Sequence, residues 1–146
     1  MNNVLSCVRN YHGVLSLDSL EEIELSEFPA FFCVNLDYSY ESGSHWLSIR
    51  VSNSSLEIFD SLGLHFNRYP KPLYNFVSKY GKLKCVKLSP VLQPISSPLC
   101  GFYAIYFIIT RQTRSFKSCL LPFVSDLQLN DRILLSNLTT ILSKNK

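Results

Sequence analysis

Cys100 stands where a loop, Gln93-Pro94-Ile95-Ser96-Ser97-Pro98-Leu99, runs into a long apolar stretch. Ser97 reads as a helix N-cap, because its hydroxyl accepts from an orphan backbone N–H. Pro98 reads as the first helical residue, where a missing N–H costs nothing. Cys100 then falls at the third helical position, and the positive end of the helix dipole favours its thiolate. Gly101 leaves room for a substrate backbone to approach. Such a cysteine is a candidate nucleophile, although a thiol that only packs is the commoner case. The assignment therefore needs a base, a carboxylate and an amide donor from elsewhere in the chain. His45, Asp60 and Gln93 are of the right types. His45 would take the thiol proton and later protonate the leaving amine. Asp60 would orient the imidazole and stabilise its cation. The side-chain N–H2 of Gln93, with the backbone N–H of Cys100, would hold a developing oxyanion.

The elements that must position these groups follow from patterning. Phe102 to Ile109 is apolar on every side, which predicts a buried central helix from Ser97 to about Gln112. Phe31 to Leu36 is a continuous apolar run bounded by Pro29 and Asp37, a buried strand with Cys33 in the core. Residues 37 to 44 carry loop chemistry. His45 to Val51 and Ser55 to Asp60 read as two strands joined by the turn Ser52-Asn53-Ser54. A hairpin counted from that turn pairs residue 51 with 55 and 46 with 60. It leaves His45 and Asp60 together at its open end as diagonal neighbours. A one-residue slip would change the facing and keep the proximity.

Arg68 to Gly81 has the i, i+3, i+4, i+7 spacing of a helix, with Leu73, Phe76, Val77 and Tyr80 on its core face. Leu83 to Leu88 reads as a strand at or near a sheet edge. A short helix is expected within residues 1 to 10, loop and turn from Tyr11 to Leu20, and a solvated acidic run from Glu21 to Glu27. Cys119 to Phe123 is expected to be extended. Asn130 is expected to cap a last helix whose buried stripe is Leu134, Leu138, Ile141 and Leu142. The tail from Ser143 should fray. His12, His65, Trp46 and Cys119 draw no catalytic assignment; Trp46 is expected to pack beside His45.

Composition limits the remaining choices. The chain has 146 residues, 47% hydrophobic and 17% charged, which fits one folded domain over 1–146 and excludes disorder. No apolar run reaches the length of a membrane span. The first residues lack a signal-peptide pattern, so the expected location is the cytoplasm or nucleus rather than outside the cell. Five cysteines form no CxxC pair and no zinc spacing, so no metal site is expected and free thiols are. Nothing in the sequence assigns roles to Cys7, Cys33 and Cys119. The net charge of +3 is mildly basic, without a dense Lys/Arg stripe.

Four pieces of the chain resemble the adenovirus-type maturation cysteine proteases (the adenain family) and their Polinton/Maverick-type relatives. They are His12-Gly13-Val14-Leu15-Ser16-Leu17-Asp18; Val34-Asn35-Leu36 leading to Gly43-Ser44-His45-Trp46; Ile58-Phe59-Asp60-Ser61-Leu62-Gly63; and Gln93 seven positions before Cys100-Gly101. The adenoviral enzymes carry Glu where this chain has Asp60, while relatives use Asp. Ubiquitin-like-modifier-specific (SUMO-type) proteases share the His-Trp, Phe-Asp-Ser-Leu and Cys-Gly features and usually place the glutamine one residue closer.

The resemblance implies an α+β cysteine protease core, with the nucleophile's central helix packed on a mixed or antiparallel sheet and flanked by helices. It implies cleavage of capsid or core precursors in a host nucleus or virion, with no cofactor needed for the chemistry. It also implies stimulation by an activating peptide, attached at a cysteine placed like Cys85, and by DNA. The alternatives it leaves are a modifier-specific protease or an inactive protease-like binding protein.

Overall fold

A computed structural model describes residues 1–82 and 84–143. Five strands form one mixed sheet in sequence order: β1 (Tyr11–Leu15), β2 (Ala30–Asn35), β3 (Trp46–Val51), β4 (Ser55–Phe59) and β5 (Cys85–Leu88). The central pairings β2–β3 and β3–β4 are antiparallel, and the outer pairings β1–β2 and β4–β5 are parallel. Helices cover both faces, so the class is α+β.

Period-two alternation sorts the sheet's side chains. Leu47, Ile49 and Val51 of β3, Leu56 and Ile58 of β4, and Phe32 and Val34 of β2 share one cluster with Leu17 and Leu20 of α2 (Leu17–Glu22). Leu73, Phe76 and Val77 of α3 (Lys71–Gly81) complete it. On the other face, Phe31 and Cys33 meet Ala104 and Ile108 of α4 (Cys100–Thr110), with Leu5 of α1 (Asn2–Leu5). Phe59 stacks on Phe107 with ring centroids 4.6 Å apart. That cluster continues into α5 (Phe116–Leu120) and α6 (Leu127–Ser143) through Phe116, Leu134 and Leu138. Each fully buried Val, Leu, Ile or Phe among them contributes about 1.5–3 kcal/mol by leaving water. Among the described residues, no helix is long and apolar enough to cross a membrane.

Several expectations change. Tyr11 to Leu20 is strand β1 and helix α2 rather than loop; Tyr11, Val14 and Leu15 pair with β2 across an irregularity at His12-Gly13, where Gly13 has φ +101°. The third helix begins at Lys71, not Arg68, because a residue preceding a proline avoids the α region and Tyr69 precedes Pro70. Of the piece expected to be extended, Cys119 and Leu120 instead end helix α5, which is capped by Ser115, whose hydroxyl accepts from the Ser118 N–H at 3.1 Å. Asn130 is not a cap but a fully buried residue inside α6; Asp126 accepts from the N–H groups of Gln128 and Leu129 instead. Of the stripe proposed for α6, Leu134 and Leu138 are buried and Leu142 is exposed. Leu83 and the tail residues 144–146 lie outside the described residues.

The hairpin register differs by one residue. Val51 pairs with Leu56 and Ser48 with Phe59, so the turn holds only Asn53 and Ser54, flanked by Ser52 and Ser55. Continued one residue further, this register sets Asp60 across from Leu47. His45, two residues before Leu47, is then a diagonal neighbour on the same face.

Candidate active site

His45 and Asp60 each sit one residue beyond the hairpin's paired strands, where side chains leave the pleat while the backbone stays fixed. His45 Nε2 lies 2.6 Å from Asp60 Oδ1 in a buried contact. Cys100 stands beside the imidazole, close enough for each group to shift the other's protonation. The structure thus brings together three side chains separated by 15 and 40 positions in the sequence.

Asp60 is held as an anion. Oδ1 also accepts from the Leu62 N–H at 2.9 Å, and Oδ2 accepts from the Leu64 N–H at 3.2 Å and the Tyr69 hydroxyl at 3.0 Å. Burial pushes its pKa up, but the His45 contact and these donors outweigh burial and hold it below the usual carboxylate value. The two backbone donors come from the turn closed by the Gly63 N–H to Asp60 O bond of 2.9 Å. Gly63 has φ +60°, and a Cβ there would come within 2.5 Å of Val91 N, so the turn requires glycine. Ser89 fixes the Asp60 backbone, accepting from its N–H at 2.8 Å and donating to its carbonyl at 2.6 Å.

Cys100 is the first residue of α4, not the third. Leu99 precedes the helix at φ −93° and ψ 8°, and the Ser97 hydroxyl accepts from the Leu99 N–H at 3.3 Å instead of capping the helix. Burial raises the thiol's pKa, yet the adjacent His45 imidazolium and the N–H groups of Trp46 and Gly101 bring it below the ordinary value. Burial alone would favour neutral His45, but Asp60 and Cys100 raise its pKa to about 9. The two shifts favour a thiolate–imidazolium pair. Beside the thiol, a Cβ on Gly101 would stand 3.0 Å from Met1 Cε and 3.9 Å from Trp46 Cδ1. The space expected for a substrate backbone is therefore bordered by the Met1 side chain. Phe102, expected in the core, is half exposed.

Gln93 is buried in the loop entering α4, and its amide is oriented from both ends. Oε1 accepts from the Ser61 hydroxyl at 2.6 Å, and Nε2 donates to Ser97 O at 2.5 Å. One amide N–H remains beyond the Ser97 bond. The loop itself is pinned at Leu92. Leu92 and Gln93 N–H groups donate to Ser61 O at 2.8 and 2.9 Å, and Leu92 O accepts from Asn130 Nδ2 at 3.0 Å and the Tyr103 hydroxyl at 3.3 Å. Cys85 stands apart, exposed at the start of the edge strand β5.

Tyr69, Ser61, Ser89 and Asn130 escaped the sequence reading as site residues. Ser61 had a signal, its place directly after Asp60. The other three had none, since their hydrogen bonds span 9, 29 and 38 positions.

No family model matches the chain, and no curated protein matches it. Among solved structures it is similar to the crystal structure of the selenomethionine ASFV pS273R protease, with 22% identity and a TM-score of 0.47. The match covers 71% of this chain and 43% of that one, so the chain spans less than half the length of that protein.

Proposed function

We propose that the chain is a cysteine endopeptidase of the adenovirus maturation type, acting on viral or virus-like structural precursors. The observation that carries this reading is the meeting of Cys100, His45 and Asp60 at one end of the hairpin, with opposed pKa shifts on the thiol and the imidazole. In this mechanism the Cys100 thiolate attacks the scissile carbonyl. The Cys100 N–H and the remaining Gln93 N–H stabilise the oxyanion, and protonated His45 gives its proton to the leaving amine. Water, deprotonated by His45, then releases the acyl group as the acid and restores the thiolate–imidazolium pair. Asp60 keeps its charge throughout and holds the ring by Nε2. The family resemblance supports the choice of substrate and a nuclear or virion setting. It also supports a regulatory peptide joined at Cys85, whose exposure on the edge strand suits such an attachment, and weak DNA binding.

The test is incubation of the purified chain with capsid precursor proteins and, separately, with a ubiquitin-like fusion. Discrete cleavage of the precursors, abolished in Cys100→Ala, is the expected result. Cleavage of the fusion alone would transfer the site to modifier processing. Cleavage of neither, with a Cys85-reactive peptide and DNA present, would overturn the proposal.

A further inference from the structure

Beyond the proposed active site, the turn joining β3 and β4 opens onto a cavity of about 360 Å³. Its wall carries Arg50 of β3, Lys87 of β5 and Arg111 from the C-terminal cap of α4, with Asn53 and Ser54 of the turn. Among the described residues that line it, none is acidic. The carboxylate behind this wall is Glu57, which is fully buried.

Arg111 satisfies Glu57 first, donating from Nε at 2.8 Å and from Nη2 at 3.0 Å. Arg50 Nη1 and Lys87 Nζ are then left 3.5 Å from Glu57 Oε1, at the outer limit of a hydrogen bond. Arg50 Nε is buried with no hydrogen-bond partner among the described residues. One carboxylate therefore faces three cations, two of which keep most of their donors free. A guanidinium cannot shed its charge by deprotonation, and the two largely buried guanidiniums, Arg50 and Arg111, raise the energy of the site. Burial, with the nearby Arg111 charge, pushes Arg50 below the usual guanidinium value. Lys84 Nζ, 4.6 Å over the Phe28 ring, adds to the same positive field at a residue that lines the cavity.

Two uncompensated positive charges match a dianion better than a carboxylate, and a phosphate ester carries about −1.5 to −2 at neutral pH. Guanidinium forks and a lysine match its oxygens in geometry. The volume falls near the lower end of the roughly 300–1,000 Å³ of ligand sites, which suits one or two phosphoryl groups. We propose that this cavity binds a phosphate-class oxyanion, a phosphate monoester or a pyrophosphate, through Arg50, Lys87 and Arg111. The cavity lies at the far end of α4 from Cys100, 11 residues along the helix. Binding there is measured without reference to proteolysis.

The experiment is calorimetric titration of the full chain with inorganic pyrophosphate, a phosphoserine peptide and its unphosphorylated counterpart, at constant ionic strength. Pyrophosphate is expected to bind saturably with one site per chain. Lys87→Gln, a half-exposed position that the fold tolerates, should weaken it at least about tenfold, whereas Lys71→Gln, outside the cavity, should leave it unchanged. Tighter binding of the phosphopeptide would support the proposal with a phosphorylated side chain as the source; binding of pyrophosphate alone would support it with a free oxyanion. Absence of saturable binding, equal weakening by both substitutions, or equal binding of the phosphorylated and unphosphorylated peptides would overturn it.

Discussion

At His45 two forces oppose one another. Burial favours the neutral ring, whereas Asp60 and the Cys100 sulfur favour the cation, and the outcome is a pKa of about 9 against an ordinary 6.5. Cys100 shifts the other way. The imidazolium's contribution to stability is thus complete below about pH 6.5 and is lost as pH rises through about 9. The thiolate–imidazolium pair occupies the window from the depressed thiol value up to about 9. Peptide cleavage should accordingly rise with pH through the Cys100 value and fall towards about 9 as His45 loses its proton, which a pH profile of kcat/KM reads directly. A profile with no alkaline fall would mean that protonated His45 takes no part. At this scale the sequence exposed the types and order of His45, Asp60, Gln93 and Cys100. It hid Tyr69, whose hydroxyl reaches Asp60 Oδ2 only because α3 packs under the hairpin.

Three elements set the loop that carries Gln93. The Asp60–Gly63 turn supplies Ser61, α4 supplies Tyr103, and α6 supplies Asn130. Asn130 also brackets Val124, accepting from its N–H at 2.8 Å and donating to its carbonyl at 2.9 Å. Asn130→Ala removes the bond to the buried Leu92 carbonyl and both bonds to the part-buried Val124 backbone, at a cost of about 1–3 kcal/mol. Chemical denaturation should show that loss, and kcat/KM should fall with it as Gln93 loses its fixed position. A full stability loss with unchanged kcat/KM would mean that Ser61 and Ser97 hold Gln93 without help from α6.

The hairpin explains why register was harder to read than strand identity. Every residue of β4 is buried, Glu57 included, so alternation there does not distinguish an inner from an outer face. The Ser52–Ser55 backbone pairing, which tightens the turn by one residue, leaves no mark in hydrophobicity. The N-terminal segment hides its structure for a related reason. β1 is a strand by virtue of its parallel pairing with β2, a partner some twenty residues away.

For the whole molecule, Glu57 is the tie between layers. It joins its own strand to Arg50 of β3, Lys87 of β5 and Arg111 at the end of α4. Removing the one buried carboxylate of such a network leaves its buried guanidiniums unpaired and costs about 3–5 kcal/mol. Glu57→Gln should therefore lower the unfolding free energy by that order in denaturant titrations, whereas Glu24→Gln, in an exposed pair with Lys79, should change it little. Equal effects would remove the charge network from the account of stability. The α+β class and the central helix were legible in advance, because their apolar runs and periodicities are local properties of the sequence. Asn130, α5 and the Glu57 network were not, because each takes its meaning from residues brought near by folding.

The central claim is that Cys100 is an activated thiolate because His45 stands against it. Its most direct test is residue-resolved alkylation of Cys100 across pH, followed by mass spectrometry in the wild-type chain and in His45→Ala. The account predicts that wild-type Cys100 reacts well below the ordinary thiol value of about 8.5 and that His45→Ala returns it to that value. Identical profiles near the ordinary value in both proteins would contradict it.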